Sequence, residues 1–160
     1  MRIILMSGPV RSGKTTALME YIRTHPGWGG FLSPDTEAHR ILYRIRNGEA
    51  IPFETKETEN GPTSVSIGKF HFLQDSFRQA GSWITEEAED PGLKGLILDE
   101  IGKLELLNRG FHEYFSNLLK MQPDKILVVV VRDTLVPAVI DHYALKDIER
   151  VTRDTIGKIF

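Results

Sequence analysis

Residues 126–131 read ILVVVV and residues 95–98 read GLIL. Neither run alternates apolar with polar residues, so neither suits a strand with one face in water. Unbroken apolar runs of this kind read as strands covered on both faces, the condition of a parallel sheet. Helical spacing separates them: Phe111, Phe115, Leu118 and Leu119 mark one helix. Strands alternating with helices predict a layered α/β domain.

The rest of the chain fits that plan. Residues 2–7, RIILMS, read as a buried strand that turns at Gly8-Pro9. Ala17, Leu18, Tyr21 and Ile22 give a helix from Lys14 to about Arg23, stopped by Pro26-Gly27. Residues 27–33 form a second strand. Residues 40–55 predict a β-hairpin turning at Asn47-Gly48, with Arg46 opposite Glu49 if the loop has two residues, and Pro52 points to an edge strand. Residues 55–63 read as a polar loop and 64–72 as a strand. Phe77, Ala80, Ile84 and Ala88 predict a helix over 73–89. A short helix over 134–144 and a last strand over 148–152 complete the chain.

Between the first strand and the first helix lies GPVRSGKTT, residues 8–16. It matches G-x-x-x-x-G-K-[ST] at every fixed position. Glycines let a backbone turn tightly and aim its N–H groups at phosphate oxygens. The helix after the loop adds the positive end of its dipole. The predicted cradle is Gly8, Pro9, Val10, Arg11, Ser12 and Gly13, with Lys14 reaching the β and γ phosphates. Thr15 would complete the shell of a magnesium ion, and Thr16 would meet the α phosphate.

GLILDE, residues 95–100, ends a buried strand on two adjacent carboxylates. In a phosphate-loop enzyme such a tip lies beside the loop. Asp99 would then hold the metal through water, and Glu100, one residue further out, would orient or deprotonate an attacking water. The pair favours hydrolysis over passive nucleotide binding.

GPVRSGKTT together with DEIGKLEL (99–106) resembles the cancer-related nucleoside-triphosphatase family, also found in bacteria and archaea. The order and spacing match over most of the chain, including Gly30-Phe31 and the valine strand. The resemblance implies a three-layer, RecA-like phosphate-loop core with a mostly parallel sheet and an added antiparallel hairpin. It implies magnesium-dependent hydrolysis of nucleoside 5′-triphosphates to diphosphates, with low base selectivity and slow turnover. The chain departs from the family where FLSPDTEAHR (31–40) replaces a Thr-Glu-Glu-type acidic segment, and at Arg11 in the loop.

Other features define alternatives and exclusions. Arg11, Arg109 and Arg132 are the arginines placed to meet a γ phosphate, and Arg132 ends the valine strand, where open α/β sheets bind ligands. A partner subunit could supply that charge instead. Lys103 and Glu105 suggest a local ion pair fixing the loop after Glu100. Phe111, Tyr114, Phe115 and Trp83 could stack on a base but have core spacing. His112-Glu113 begins a zinc-helix pattern that Ser116 breaks. The acidic run Glu86-Glu87-Glu89-Asp90 reads as solvated.

A small-molecule kinase, with 40–62 as a lid, and a nucleotide-gated binding module are the alternative functions. No N-K-x-D element for guanine occurs. The length of 160 residues suits one domain, and the net charge of −2 gives no reason to expect nucleic-acid binding. The absence of cysteine excludes disulfides and thiolate zinc sites. No run reaches the length of a membrane span, and Ile3-Ile4-Leu5-Met6 is too short for a signal peptide, so a cytoplasmic protein is expected.

Overall fold

The computed structural model describes residues 1–36, 39–56 and 64–159. β1 (Arg2–Gly8) leads into α1 (Lys14–Thr24), and β2 (Trp28–Leu32), β3 (Ile41–Arg44) and β4 (Ala50–Pro52) come after it. Next are β5 (Glu54–Thr55), β6 (Ser64–Ile67), β7 (Phe70–Leu73) and α2 (Gln74–Ala88). The second half holds β8 (Gly95–Asp99), α3 (Lys103–Leu106), α4 (His112–Met121), β9 (Ile126–Arg132), α5 (Val136–His142) and β10 (Glu149–Val151). Tight 3₁₀ turns occupy Asp133–Leu135 and Arg153–Lys158.

The main sheet has the order β10-β1-β9-β8-β2-β3-β4. Its first five strands are mutually parallel, and the β3–β4 hairpin is added antiparallel at the edge. The apolar runs are buried on both faces because alternate residues feed two cores. Val129 and Val131 pack with Leu98, Phe31, Phe111 and Phe115 under α2 and α4. Val128 and Val130 pack with Ile4, Met6, Ile97 and Leu18 under α1. Gly30 is required between β2 and β8: its φ is +86°, and a Cβ there would fall 2.1 Å from the Ile97 carbonyl oxygen. Among the described residues no helix is long and apolar enough to cross a membrane.

The parallel strands place five C-terminal ends at one edge of the sheet. The loop after β1, Asp99 at the end of β8 and Arg132 at the end of β9 therefore share that edge.

Three local expectations are corrected. The hairpin loop has four residues, not two: the Arg44 N–H donates to the Glu49 carbonyl (2.7 Å) and the Gly48 N–H to the Arg44 carbonyl (2.9 Å). Only Gly48 takes positive φ, while the Asn47 side chain accepts from the Glu49 N–H at 3.0 Å, so the mirror-image turn does not form. Arg44 thus faces Glu49, and Arg46 pairs with Asp90 at 2.8 Å. The strand expected over 64–72 is a hairpin, β6 and β7, turning at Gly68 (φ +57°). With β5 it forms a second, three-stranded antiparallel sheet. Pro52 lies in edge strand β4, as its missing N–H requires. Residues 57–63 of the expected polar loop lie outside the described residues.

Candidate functional site

The segment 8–15 closes as a loop between β1 and α1. Gly13 caps the helix in the left-handed region (φ +83°). Gly8 has no room for a Cβ, which would sit 2.9 Å from Ser12 Oγ. Lys14 is only 7% exposed and lies back across the loop, donating to the Pro9 (2.7 Å) and Gly8 (3.1 Å) carbonyls. Val10 and Arg11 form the exposed crown, and Thr16 is exposed on the first turn of α1.

Asp99 reaches this loop although β9 separates β8 from β1. The contact is made by side chains: Thr15 Oγ1, in the first turn of α1, donates to Asp99 Oδ2 at 2.7 Å. The Ser33 N–H donates to the same oxygen at 3.1 Å. Asp99 is 3% exposed, and burial raises its pKa against the pull of Thr15, Ser33, Arg40 and Lys14.

Glu100 stands one residue further out and is half-buried. Burial raises its pKa; Arg132 pulls it down, Asp99 pushes it up, and Arg40 and Lys14 pull it down further. The Arg132 guanidinium donates from Nε to Glu100 Oε1 at 3.1 Å. Of the three arginines expected near a γ phosphate, Arg132 is therefore held in the cleft by Glu100. Arg11 is on the loop crown, and Arg109 is exposed beyond α3.

The oxygens present suit magnesium. Thr15 and Asp99 offer a hydroxyl and a carboxylate in contact, the hard donors that ion prefers, with substrate phosphates left to supply others. Ser12 Oγ and Ser33 Oγ are buried with no hydrogen-bond partner among the described residues, and they flank this same cleft. Such orphan oxygens fit a pocket that awaits a polar ligand.

The segment after Glu100 is fastened by Glu105, not by an ion pair with Lys103, which is exposed. Glu105 accepts from the Gly102 N–H (2.9 Å) and the Phe111 N–H (3.1 Å), tying both ends of the turn around α3. Burial, against these hydrogen bonds, raises its carboxyl to about 7. A carboxyl raised in the folded state favours folding while protonated, and that contribution is lost as pH rises from 4.5 through about 7. In Glu105→Gln this loss is expected to vanish: chemical denaturation at a series of pH values should give a flatter stability profile over that window.

Several sequence candidates lie elsewhere. Phe111, Phe115 and Trp83 are core residues, and Phe111 stacks on Phe31 at 4.6 Å. Tyr114 packs on Gly81, where a Cβ would meet its ring at 2.2 Å. None of the four is free to hold a base. Two of the three arginines of the supposed lid are committed to α2 and its end: Arg44 pairs with Glu87 (2.7 Å) and Arg46 with Asp90. The third, Arg40, is joined to Asp35 at 3.3 Å and acts on both cleft carboxylates. One basic residue was missed: Arg153 donates to the Ser12 carbonyl at 2.9 Å from the far end of the chain. It sits in no motif, and only the fold brings it to the loop.

Known proteins resemble this chain in sequence and in fold. The nucleoside-triphosphatase THEP1 of Thermotoga sp. (strain RQ2) is 29% identical over 129 residues, covering 79% of this chain and 72% of that protein. That of Thermotoga maritima is 29% identical over 137 residues, with the same coverage. The crystal structure of THEP1 from the hyperthermophile Aquifex aeolicus superposes with a TM-score of 0.71 at 21% identity, over 99% of this chain and 94% of that one, a likeness of fold. The family model for NTPases matches residues 3–159, a span that takes in every element of the cleft, and the chain belongs to that family.

Proposed function

We propose that this chain hydrolyses nucleoside 5′-triphosphates to the diphosphate and phosphate, with magnesium, broad base selectivity and slow turnover. The observation that carries the reading is Glu100, half-buried at the tip of β8 directly beyond the carboxylate that contacts Thr15. A binding module needs no such second carboxylate.

The backbone from Gly8 to Gly13 and the start of α1 hold the phosphates, and Lys14 exchanges the Gly8 and Pro9 carbonyls for β- and γ-phosphate oxygens. Thr15 and Asp99 would hold magnesium, which neutralises charge developing on the phosphates. Glu100 orients a water on the γ phosphorus and takes its proton. A phosphorus–oxygen bond forms to that water, and the bond to the β–γ bridging oxygen breaks. Burial raises the basicity of Glu100, and the Arg132 cation opposes that rise by favouring the carboxylate.

Arg132→Gln tests this pairing. Glu100 must be ionised to accept a proton, and losing the cation raises its pKa further. The acidic limb of the kcat/KM profile is expected to move to higher pH. At neutral pH kcat/KM should fall by about tenfold or more, since charges at a transferring phosphoryl group contribute at least that much.

The test of the reaction itself is release of free phosphate from ribo- and deoxyribonucleoside triphosphates, with magnesium and no phosphate acceptor. Release from all bases supports a hydrolase. Release only on addition of a small-molecule acceptor would make the chain a kinase, and binding without release a nucleotide-gated module.

A further inference from the structure

The strand order gives the cleft a direction. Reading across the sheet, the C-terminal ends run Asp99-Glu100 (β8), Arg132 (β9), the phosphate loop (β1) and Arg153 (after β10). All four strands are parallel, so all four ends open on one edge, about 4.8 Å apart from strand to strand. With the water-orienting Glu100 at one end, the γ phosphate lies toward β8 and β9. The β and α phosphates lie on the loop, where Thr16 is exposed. The remaining part of a nucleotide must continue toward β10.

Arg153 occupies that place. Its Nη1 donates to the Ser12 carbonyl at 2.9 Å, and a Cβ on Gly13 would come within 3.2 Å of it. The residues on either side of Arg153 fix its position. Ile159 is buried beside Leu18 and Tyr21, and the Tyr21 hydroxyl donates to the Ile159 carbonyl. The Thr152 N–H is held by Thr155 Oγ1 at 2.9 Å. The Arg153 side chain itself is 57% exposed, and its Asp154 partner, at 3.4 Å, is 82% exposed.

We infer that Arg153 is the nucleoside-binding residue: its guanidinium, pinned at the edge of the phosphate loop, forms the platform on which the base of the nucleotide stacks. A guanidinium bonded in its own plane keeps its flat faces for stacking. Every base has a π-face, so a platform of this kind holds any of them, and it accounts for broad base selectivity without a base-reading pocket. The inference rests on the triphosphatase reading, because it takes its direction from Glu100.

The test compares ATP, GTP, CTP and UTP with inorganic tripolyphosphate, which has the phosphates and no nucleoside. Magnesium is present throughout, and affinity and phosphate release are measured for wild type, Arg153→Ala and Arg153→Gln. Loss of a stacking partner weakens nucleotides about 5- to 100-fold. The expected result is a loss of that size for all four nucleotides, with tripolyphosphate affinity unchanged within about twofold of wild type. An equal loss for tripolyphosphate would mean that Arg153 serves the loop or the phosphates, and would overturn the inference alone. No loss for any ligand would also overturn it alone. If wild type neither binds nor cleaves any of the five, both this inference and the triphosphatase reading fail.

Discussion

Glu100→Gln is expected to bind nucleotide as tightly as wild type and to release phosphate about 10²- to 10⁴-fold more slowly, the range lost with a general base. The substitution keeps the shape of the side chain and leaves an oxygen for the Arg132 Nε–H that now donates at 3.1 Å. It removes the only feature the reaction needs there, the capacity to take a proton. The phosphate contacts lie on a separate segment, Gly8 to Thr16, and Asp99 keeps its bond with Thr15. Binding and turnover should therefore separate cleanly in equilibrium binding and phosphate-release assays. A parallel loss of both would place Glu100 among the binding groups.

Glu87→Ala is expected to destabilise the fold by about 3–5 kcal/mol, the range for removing one partner of a buried ion pair. Glu87 is 0% exposed. One carboxylate oxygen accepts the buried Gly30 N–H at 2.6 Å, and the other accepts Arg44 Nε at 2.7 Å. Truncation strands both donors: the Gly30 N–H in the interior, and Arg44, left among the described residues with the more exposed Glu86 at 3.1 Å and Glu49 at 4.0 Å. In a domain of this size the transition should fall by roughly 10 °C. Glu87→Gln should lose less, since it keeps an acceptor for the N–H. Thermal and urea denaturation measure both, and a change below about 1 kcal/mol in the alanine variant would mean that the pair behaves as a solvated one.

Glu87 also illustrates what was legible in the sequence. It stands in a run of four acids that reads as a solvated helix end, yet it continues the helical spacing of Phe77, Ala80 and Ile84 and turns inward with them. Periodicity carried the better signal than charge. The unbroken apolar runs, the glycine-lysine loop and the strand ending in Asp99-Glu100 were readable because each is set by local chemistry. The two-residue hairpin failed for a local reason too, since Asn47 satisfied its turn with its side chain and not its backbone.

Long-range partners were not readable in the same way. Glu105 was matched with its sequence neighbour Lys103, but a carboxylate that can accept two N–H groups went to the backbone at Gly102 and Phe111. Arg153 meets Ser12 across 141 positions, and only the seating of β10 beside β1 brings them together. Thr15 and Asp99 meet because α1 lies across the face of the sheet, with Leu18 packed with Ile97 of β8 and Leu32 of β2, and so carries Thr15 past β9 to the end of β8.

The most direct test of the account traces the oxygen of the attacking water. Hydrolysis of a nucleoside triphosphate in ¹⁸O-labelled water, with product masses read after a single turnover, shows which phosphorus was attacked. Water oriented by Glu100 on the γ phosphorus puts one label into the released phosphate and none into the diphosphate nucleotide. Label in the diphosphate, or no phosphate formed at all, would contradict it.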